Sequence, residues 1–395
     1  MSEFRTIREL CSVVVDCPHS TPKWTTSGKI VVRNNNIKHG RIDLSSPSYT
    51  DEEHFAQRIK RAKPQPGDII ITREAPIGDV GMIPENTECC LGQRMVLLRA
   101  DQSVCDNFYL LYSLQSLYVQ HQISWSEGTG TTVSNLRIPH LEQIQIPYLP
   151  IGQQMKISSV LRSLEEKIEN NRKLNDNLEQ QAQSYFQELF VDNASPEWTT
   201  GTISDLGTVV GGSTPSKAKP EYYTESGIAW ITPKDLSINK SKFVSHGEND
   251  ITELGLKNSS AVIMPEGTVL FSSRAPIGYI AIAAGEVTTN QGFKSVVPKP
   301  EIGTPFVYFF LKNTLPVIEG MASGSTFKEV SGSTMKNVPA VIPDAETLAK
   351  FSDFCAAIFA QQRTLEEQNQ SLAKLRDSLL PKLMSGEIDV SAVHL

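Results

Sequence analysis

"TREAPIG" at Thr72–Gly78 and "SSRAPIG" at Ser272–Gly278 place the same four residues, Ala-Pro-Ile-Gly, at two distant points of one chain, with an arginine ahead of each (Arg73 and Arg274). Each copy follows a glycine-led apolar run and precedes a second apolar run, a pattern typical of strand, loop and strand. Proline fixes φ and glycine permits positive φ, which predicts a stiff loop that carries its arginine at the tip. One such hairpin is ordinary, whereas two of them indicate an internal repeat.

The repeat extends well beyond the two loops. Ser20–Pro22 and Ser213–Pro215 both read Ser-Thr-Pro, and Val31–Arg33 aligns with Trp230–Thr232. Two further pairs of similar segments are "LGQRM" (Leu91–Met95) with "TNQGF" (Thr289–Phe293), and "EGTGTTVSNL" (Glu127–Leu136) with "SGSTFKEVSGSTM" (Ser323–Met335). The pattern predicts two similar domains of about 150 residues, each a mixture of short strands and a few helices.

A long helical segment follows each copy, at Gln153–Phe190 and at Phe351–Leu383. Apolar residues in both segments alternate by three and four positions, which is the heptad spacing of helices that pair with a helical partner. Polar residues at core steps lower stability but specify register and partner. The apolar steps are Leu161, Leu164, Ile168, Leu178, Ala182, Tyr185 and Leu189, then Phe351, Phe354, Ile358, Leu365, Leu372, Leu375 and Leu379, with polar steps at Asn171, Asn175, Gln361 and Gln368.

These features together predict an α+β fold, with two mixed α/β domains separated by two long antiparallel coiled-coil helices in a pseudo-two-fold arrangement. The predicted bounds are 1–150 for the first domain, 151–195 for the central helix, 196–345 for the second domain, and 346–395 for the distal helix and C-terminal tail. Two amphipathic helices packed only on their own domains are the alternative. Two similar domains at a fixed separation suit DNA with two half-sites, because dimeric DNA readers match their symmetry to half-site spacing.

The composition is that of an ordinary soluble protein of 395 residues, with 39% hydrophobic and 21% charged residues. No apolar run approaches the roughly 20 residues of a membrane span, and the polar start "MSEFRTIREL" lacks the apolar core of a signal peptide. The six cysteines include no C-x-x-C pair, which fits buried or exposed thiols in a reducing cytoplasm. A net charge of −7 argues against a nonspecific nucleic-acid binder coated in lysine and arginine, but it permits a local basic surface.

Motifs of catalysis are absent from the sequence. It contains no G-x-x-x-x-G-K-[ST] phosphate loop, no Asn-Pro-Pro-aromatic run of amino-methyltransferases, and no histidine and cysteine cluster with metal-ligand spacing. Glu165 and Lys167 have the spacing of a nuclease E-x-K motif, but they lie on the heptad helix, where a solvated face is the better interpretation. The sequence therefore predicts a non-catalytic protein with no cofactor and no metal.

Nearly the whole chain resembles the specificity subunit of type I restriction-modification systems. The resemblance is carried by the two domain copies, the two "APIG" loops, and the segments "RNNNIKHGRI", "WITPKDL", "GSTFKEVSGSTMKNVP" and "LLPKLMSGEIDV" in this order. It implies that each domain is a target-recognition domain reading one half of a split double-stranded DNA site. It also implies that the helices set the gap and dock two methyltransferase subunits, and that restriction subunits with ATP-driven motors join the complex in a prokaryotic cytoplasm.

Polar and basic residues of the repeated loops are the candidate DNA contacts. Arginine can grip guanine or a phosphate in a bidentate way, and phosphate anchoring is the commoner role of any one contact. The first copy departs from the pattern, because "GTGTTVSNL" stands in place of "GSTFKEV". The candidates are Arg33, Asn34, Asn35, Lys38, Arg73 and Arg94 in the first copy, and Ser213, Thr214, Lys217, Thr232, Lys234, Ser273, Arg274, Thr326 and Lys328 in the second.

Two other functions stay open on the sequence alone. One is a specificity factor for a different DNA-defence assembly, and the other is a coiled-coil scaffold whose globular ends bind proteins. If the chain reads DNA, the two long helices are expected to act as a ruler, because the length of a helix is tied to its residue count at about 1.5 Å per residue.

Overall fold

A computed structural model of the chain describes residues 3–38, 40–125, 135–324 and 328–393. It divides the chain into two compact units. Unit 1 comprises Met1–Ile168 with Ser371–Leu395, and unit 2 comprises Glu169–Gln370. Each unit contains one copy of the repeat and a part of each long helix.

The strands and helices of unit 1 are short, except for the first long helix. The strands are β1 (Glu3–Thr6), β2 (Cys11–Asp16), β3 (Lys29–Val32), β4 (Ile37–Lys38), β5 (Gly40–Ile42), β6 (Ser48–Thr50), β7 (Ile69–Thr72), β8 (Val80–Met82), β9 (Cys89–Leu91), β10 (Met95–Ala100) and β11 (Gln145–Tyr148). The helices are α1 (Ile7–Leu10), α2 (Glu52–Arg58), α3 (Asn107–Gln115), α4 (Leu117–Trp125), α5 (Ile138–Gln143) and α6 (Ile151–Gln187), with a 3-10 turn at Asn34–Asn36.

Unit 2 has a similar mixture of short elements, with one helix of 18 residues and the part of the second long helix that reaches Gln370. Its strands are β12 (Thr199–Thr202), β13 (Gly207–Gly211), β14 (Tyr223–Thr224), β15 (Ile228–Ile231), β16 (Phe243–Val244), β17 (Asn249–Ile251), β18 (Val269–Ser273), β19 (Ile277–Ala283), β20 (Thr288–Thr289), β21 (Lys294–Pro298) and β22 (Pro339–Ile342). Its helices are α7 (Ile203–Leu206), α8 (Pro233–Ile238), α9 (Glu253–Lys257), α10 (Thr304–Met321), α11 (Gly332–Lys336) and α12 (Ala345–Ser385).

The sheets of the two units have matching topologies apart from β4 of unit 1 and β14 of unit 2, which have no counterpart strand, and this match confirms the predicted repeat. Unit 1 has the strand orders β2-β10-β7-β8-β5-β4, β6-β3-β9 and β1-β11. Unit 2 has β13-β21-β18-β19-β16, β14-β17-β15-β20 and β12-β22. The parallel pairs also correspond, since β3 with β9 and β5 with β8 match β15 with β20 and β16 with β19.

The two Ala-Pro-Ile-Gly loops join β7 to β8 and β18 to β19, as the sequence predicts, and both strand pairs are antiparallel. Gly78 has a φ of 82° and Gly278 a φ of 94°, values that favour glycine. The two arginines ahead of these loops, however, do not occupy equivalent positions. Ser273, not Arg274, is the counterpart of Arg73. Arg73 N donates to Arg94 O, between β9 and β10, and Ser273 N donates to Gly292 O, between β20 and β21.

The two long helices, α6 with 37 residues and α12 with 41, run antiparallel in each unit. In unit 2, Asn171 Nδ2 donates to Asn369 Oδ1 at 3.0 Å, and Asn175 Nδ2 donates to Glu366 Oε1 at 3.5 Å. In unit 1, Glu165 of α6 pairs with Arg376 of α12 at 3.7 Å. Asn171 Nδ2 also donates to Gln368 Oε1 at 3.3 Å, so these two predicted polar steps meet, whereas Asn175 pairs with a residue outside the predicted steps.

The helices also pack on the domains. Leu161 lies in the same core cluster as Leu98 of β10, and Ala182 in the same cluster as Phe271 of β18. None of the helices within the described ranges is long and apolar enough to cross a membrane. The pairing and packing explain why the helices form here, because most helical stability in proteins comes from burial of an apolar face.

Four of the predicted core steps are wrong. Phe354 and Leu375 are 41% and 45% exposed, and Gln361 and Gln368 are exposed as well, while Gln362 is buried. These four residues share one heptad position, and the residue after each of them is more buried (Cys355, Gln362, Asn369 and Arg376). The buried face of α12 therefore advances by four and then three residues, instead of three and then four. Gln362 is drawn inward by polar partners, since its Nε2 donates to Asn175 O at 3.2 Å.

A buried charge cluster ties unit 2 to its helices. Lys242, whose side chain is 6% exposed, pairs with Glu179 of α6 at 2.5 Å, and Lys312 of α10 pairs with the same carboxylate. Tyr308 Oη also donates to Glu179 at 3.1 Å. Burial alone would raise the pKa of Glu179, but the two ammonium groups outweigh it and lower that pKa. The carboxylate is therefore held charged between two lysines.

We expect Glu179→Ala to lower the unfolding temperature of unit 2, because it leaves two lysines without their counter-ion. Breaking a buried pair in this way costs about 3–5 kcal/mol. A folded-state pKa below the unfolded value of about 4.3 gives stability that is present above that pH and is lost as pH falls through the folded pKa. Calorimetry from neutral to acidic pH should show a smaller acid-induced loss in the variant, with exposed Asp176→Ala as the control. Unfolding of Glu179→Ala at the wild-type temperature would contradict this role.

Candidate nucleic-acid interface

Five loop segments of unit 1 converge, and we call them the first loop cluster: 18–24, 33–38, 73–78, 92–94 and 135–137. Asn34 Nδ2 donates to Glu74 O at 2.9 Å, and Asn135 Nδ2 donates to Glu74 Oε1 at 2.7 Å. Arg94 pairs with Glu74 at 3.2 Å, and Gln93 Nε2 donates to His19 O. These bonds join all five segments through the hairpin loop.

The turn after β3 presents Arg33 at the surface. Asn36 Oδ1 accepts from Arg33 N at 2.8 Å and closes the 3-10 turn, which leaves the Arg33 side chain exposed. Its guanidinium lies 5.1 Å from the ring centroid of Trp24, which is itself 46% exposed. A cation over an indole face is attracted by the ring quadrupole, so the ring steadies a donor group that points to solvent.

Arg73 lies differently from the prediction. Its side chain is only 11% exposed, and its Nη1 donates to Asp16 Oδ2 at 2.7 Å. Its Nε donates to Leu136 O at 2.8 Å. The prediction that Arg73 lies at the tip of the first hairpin is therefore wrong. Its guanidinium turns inward to these acceptors and holds the loop in place.

The corresponding segments of unit 2 also converge, and we call them the second loop cluster: 213–217, 232–234, 273–276, 290–294 and 328–331. Ser213 N donates to Thr289 O at 2.8 Å, and the hydroxyl of Thr214 donates to Gln291. Val330 N donates to Ser273 O at 2.9 Å. The same backbone frame therefore carries both clusters.

The same position of the hairpin loop carries an acid in the first cluster and a base in the second, and its partner lies on a different segment in each. In unit 1 the loop residue Glu74 pairs with Arg94, whereas in unit 2 the corresponding loop residue Arg274 pairs with Glu329 at 3.6 Å. Lys294 lies 3.9 Å from the same Glu329. A phosphate that binds Arg274 must compete with this carboxylate or displace it, so a contact there is weaker than one to an unpaired cation.

The predicted contact residues differ in exposure. Arg33, Asn35, Lys38, Arg94, Lys217, Lys234 and Lys328 are exposed, and Asn34, Arg73, Ser213, Thr214, Thr232 and Arg274 are partly exposed. Ser273 is fully buried, and its hydroxyl donates to Gly292 O at 3.1 Å, so it supports the loop from inside. Thr326 lies outside the described residues. That the accessible residues contact DNA stays a prediction.

Some exposed cations in the clusters are already paired. Lys38 Nζ lies 2.7 Å from Asp43, and Lys234 Nζ lies 2.5 Å from Glu248. The hydrogen bond that Lys234 donates to Glu248 raises the pKa of Lys234, which is fully charged at neutral pH. Thr232 caps α8, since its hydroxyl oxygen accepts from Asp235 N while Asp235 accepts from Thr232 N at 2.7 Å. The backbone N–H of Thr232 has the same role as that of Arg33 in the first cluster, whereas the Arg33 side chain makes no cap and stays at the surface.

Sequence reasoning missed Trp24, Asn135 and Lys294. Trp24 had a usable signal, since an aromatic residue in the polar run "HSTPKW" has no strand or helix pattern to bury it. Asn135 and Lys294 gave none, because each gains its place from a long-range contact, with Glu74 and Glu329 respectively.

The arrangement favours binding over chemistry. Within the described ranges, no group of three histidine, cysteine, aspartate or glutamate side chains is placed to hold a metal ion. The interpretation of Glu165 as part of a solvated face is wrong: its side chain is 13% exposed and accepts from Tyr112 Oη at 3.0 Å. Tyr112 and Arg376 hold this carboxylate as a structural link. The clusters instead present guanidinium, ammonium and amide donors.

One protein family matches the chain at two places. The sequence model of the Type I restriction modification DNA specificity domain matches residues 2–180 and 196–374. These two ranges cover both copies of the repeat, each with most of the helix that follows it. The matches include every segment of the two loop clusters.

Individual relatives are similar over half or nearly all of the chain. The type I restriction enzyme MjaIX specificity subunit of Methanocaldococcus jannaschii is 38% identical over 192 residues, which are 48% of this chain and 44% of that protein. The HindI specificity subunit of Haemophilus influenzae is 27% identical over 48% of this chain and 42% of that protein. The chain thus spans about half the length of these two relatives. The putative MjaX specificity subunit of M. jannaschii is 20% identical over 98% of this chain and 94% of that protein.

The fold has a counterpart among solved structures. The S subunit of a type I restriction-modification system from M. genitalium superposes with a TM-score of 0.58 at 20% identity, over 96% of this chain and 95% of that one. At this identity the likeness shows the fold. It confirms the prediction of paired α/β domains with long helices.

We expect Arg274→Ala and Lys234→Ala each to weaken DNA binding without unfolding the chain. Neither side chain is buried, so truncation should change the free energy of unfolding by about 0.5 kcal/mol or less. Loss of one phosphate contact should reduce the slope of log K against log salt by about one unit. Lys299→Ala is the matched control. Lys299 is exposed and follows the last residue of β21, whereas Lys294 of the second loop cluster is the first residue of that strand. Unchanged slope and affinity in both variants would mean that the DNA face lies elsewhere.

Proposed function

Since this chain belongs to the Type I restriction modification DNA specificity domain family, we propose that it is the DNA-recognition subunit of a type I restriction-modification complex. Each loop cluster reads one half of a bipartite double-stranded DNA site. The two long helices set the spacing between the halves. The subunit selects the site and leaves the chemistry to its partners.

The observation that carries this proposal is the repetition of the loop cluster. Two copies of one frame, with matching sheet orders and matching backbone bonds, present different side chains at equivalent positions. Arg33 in unit 1 corresponds to Thr232 in unit 2, and Glu74 corresponds to Arg274. One backbone frame that carries different side chains in the two units suits the reading of two different half-sites.

The chemistry of the exposed donors agrees with reading DNA. Arginine presents a planar fork that matches guanine O6 and N7, and asparagine can pair with adenine N6 and N7. Arg33, Asn35 and Arg94 supply such groups in unit 1, and Lys217 and Lys328 supply phosphate anchors in unit 2. The net charge of −7 keeps nonspecific attraction weak, so affinity must come from these local contacts.

The partners follow from the repeat and the helices. Two similar halves in one chain offer two similar surfaces, which suits two copies of a methyltransferase subunit docked along α6 and α12. Restriction subunits with motor and nuclease activity join the same complex, in the cytoplasm of a prokaryote. A scaffold that binds only proteins would have no need for two sets of convergent arginine, lysine and asparagine side chains.

Replacement of residues 196–345 by the matching domain of a relative should change one half-site and leave the other. The reason is that the bonds of each loop cluster lie within its own unit. Methylation profiling of cells that carry the hybrid, beside cells that carry the parent, measures both halves at once. Alteration of both half-sites would contradict independent reading, and methylation without any sequence preference would contradict the proposed function.

A further inference from the structure

Arg58 is the last residue of α2, and its side chain is turned into unit 1, where it is 6% exposed. Its guanidinium donates to four backbone carbonyls. Two of them lie on one loop, Pro18 O at 3.2 Å and Ser20 O at 2.9 Å. The other two are Leu91 O, at the end of β9, and Gly92 O, on the link that follows β9, each at 2.8 Å.

The site is unusual because it buries a cation without a counter-ion. Within the described part of the chain, no carboxylate lies within ion-pair distance of Arg58. A buried charge is costly unless it is paired or well hydrogen-bonded. Here the carbonyl dipoles of two loops take the place of the acid, so the cation and the loops depend on each other.

Both loops held by Arg58 belong to the first loop cluster. Pro18 and Ser20 lead to the exposed Trp24, and Gly92 is followed by Gln93 and Arg94. Gln93 Nε2 donates back to His19 O, which joins the two loops a second time on the outer side. Arg58 is therefore the inner clamp of two segments whose outer side chains are candidate DNA contacts.

We propose that Arg58 is a positioning residue for the half-site that unit 1 reads, acting through loops 18–24 and 92–94 without contacting DNA. This role rests on the proposed function. A planar guanidinium with five donors can bridge two loops in a fixed geometry, which an ammonium on a flexible stem cannot do. Fixed loops matter because base readout requires donors held close to their productive positions.

Unit 2 fixes the corresponding loop by a different device. Trp230 Nε1 donates to Ser213 O at 3.0 Å, and Tyr223 Oη donates to Pro215 O at 2.6 Å. The segment after α9 contributes Ser260 N, which donates to Ser213 Oγ at 3.3 Å. Neutral aromatic donors thus hold the second cluster, so loss of Arg58 should affect one half-site only.

The test uses the full chain assembled with its methyltransferase subunits and the bipartite duplex identified by methylation profiling. Binding is compared between the cognate duplex and duplexes with one base pair changed in either half. Arg58→Met should lower discrimination at the first half-site by about ten-fold or more, the order of one lost base contact. Discrimination at the second half-site should stay at the wild-type level, and so should the salt slope, because Arg58 is buried and contacts no phosphate. Lys60→Met, an exposed change two residues away, is the control and should alter neither ratio.

Amide hydrogen exchange without DNA gives a second readout. The amides of 19–21 and 91–94 should exchange faster in Arg58→Met, while those of residues 213, 214, 216 and 217 should be unchanged, because the prolines of both loops carry no N–H. If Arg58→Met does not fold, Arg58→Lys retains the charge and should show the same split between half-sites.

Three results would overturn the role of Arg58: unchanged first-half discrimination in the folded variant, equal loss at both halves, or a salt slope reduced by one unit. A wild-type complex that discriminates at neither half overturns the proposed function itself. The amide exchange of 19–21 and 91–94 then tells separately whether Arg58 holds these loops.

Discussion

In each unit, a link of three residues joins a strand of one sheet to a strand of the neighbouring sheet, and this link determines where the candidate interface forms. In unit 1, β9 pairs in parallel with β3 so that Leu91 lies opposite Val32, and β10 pairs with β7 so that Met95 lies opposite Thr72. Residues 92–94 therefore lie between the turn after β3 and the hairpin after β7. In unit 2, Thr289 lies opposite Ile231 and Phe293 bridges to Ser272, so residues 290–292 have the same place. Two sheets joined by so short a link bring their loops together whatever side chains those loops carry.

That constraint separates the frame from the contacts. The frame is backbone pairing, and it is the same in both units, while the side chains that fix it differ. Arg58 clamps the Ser-Thr-Pro loop in unit 1, and Trp230 with Tyr223 does so in unit 2. Glu74 and Arg274 likewise present opposite charges from one loop position. A recognition protein that must read two sequences needs this division, because loops can vary on a scaffold that does not.

Much of the fold could be predicted from the sequence, since repetition and heptad spacing are local patterns. The strands on either side of the Ala-Pro-Ile-Gly loops and the antiparallel helices follow from them. The site could be predicted only in part, because the direction of a side chain depends on long-range partners. Arg73 turns inward to Asp16, and Gln362 in place of Gln361 enters the helix interface through Asn175 and Lys242. No spacing rule within the sequence contains these contacts.

The proposed function requires α6 and α12 to hold two DNA-reading units at a set separation, and helix length tests this requirement most directly. Four residues added after Leu174, with four added after Glu367 so that the pairing of Asn175 with Glu366 is kept, lengthen both helices by about 6 Å at about 1.5 Å per residue. A base pair rises about 3.4 Å, so sequencing of methylated sites should show unchanged half-sites with one or two more base pairs between them. Some affinity should be lost, because four residues do not complete a heptad. Methylation at the original spacing by the lengthened chain would contradict the account and leave the helices as docking surfaces alone.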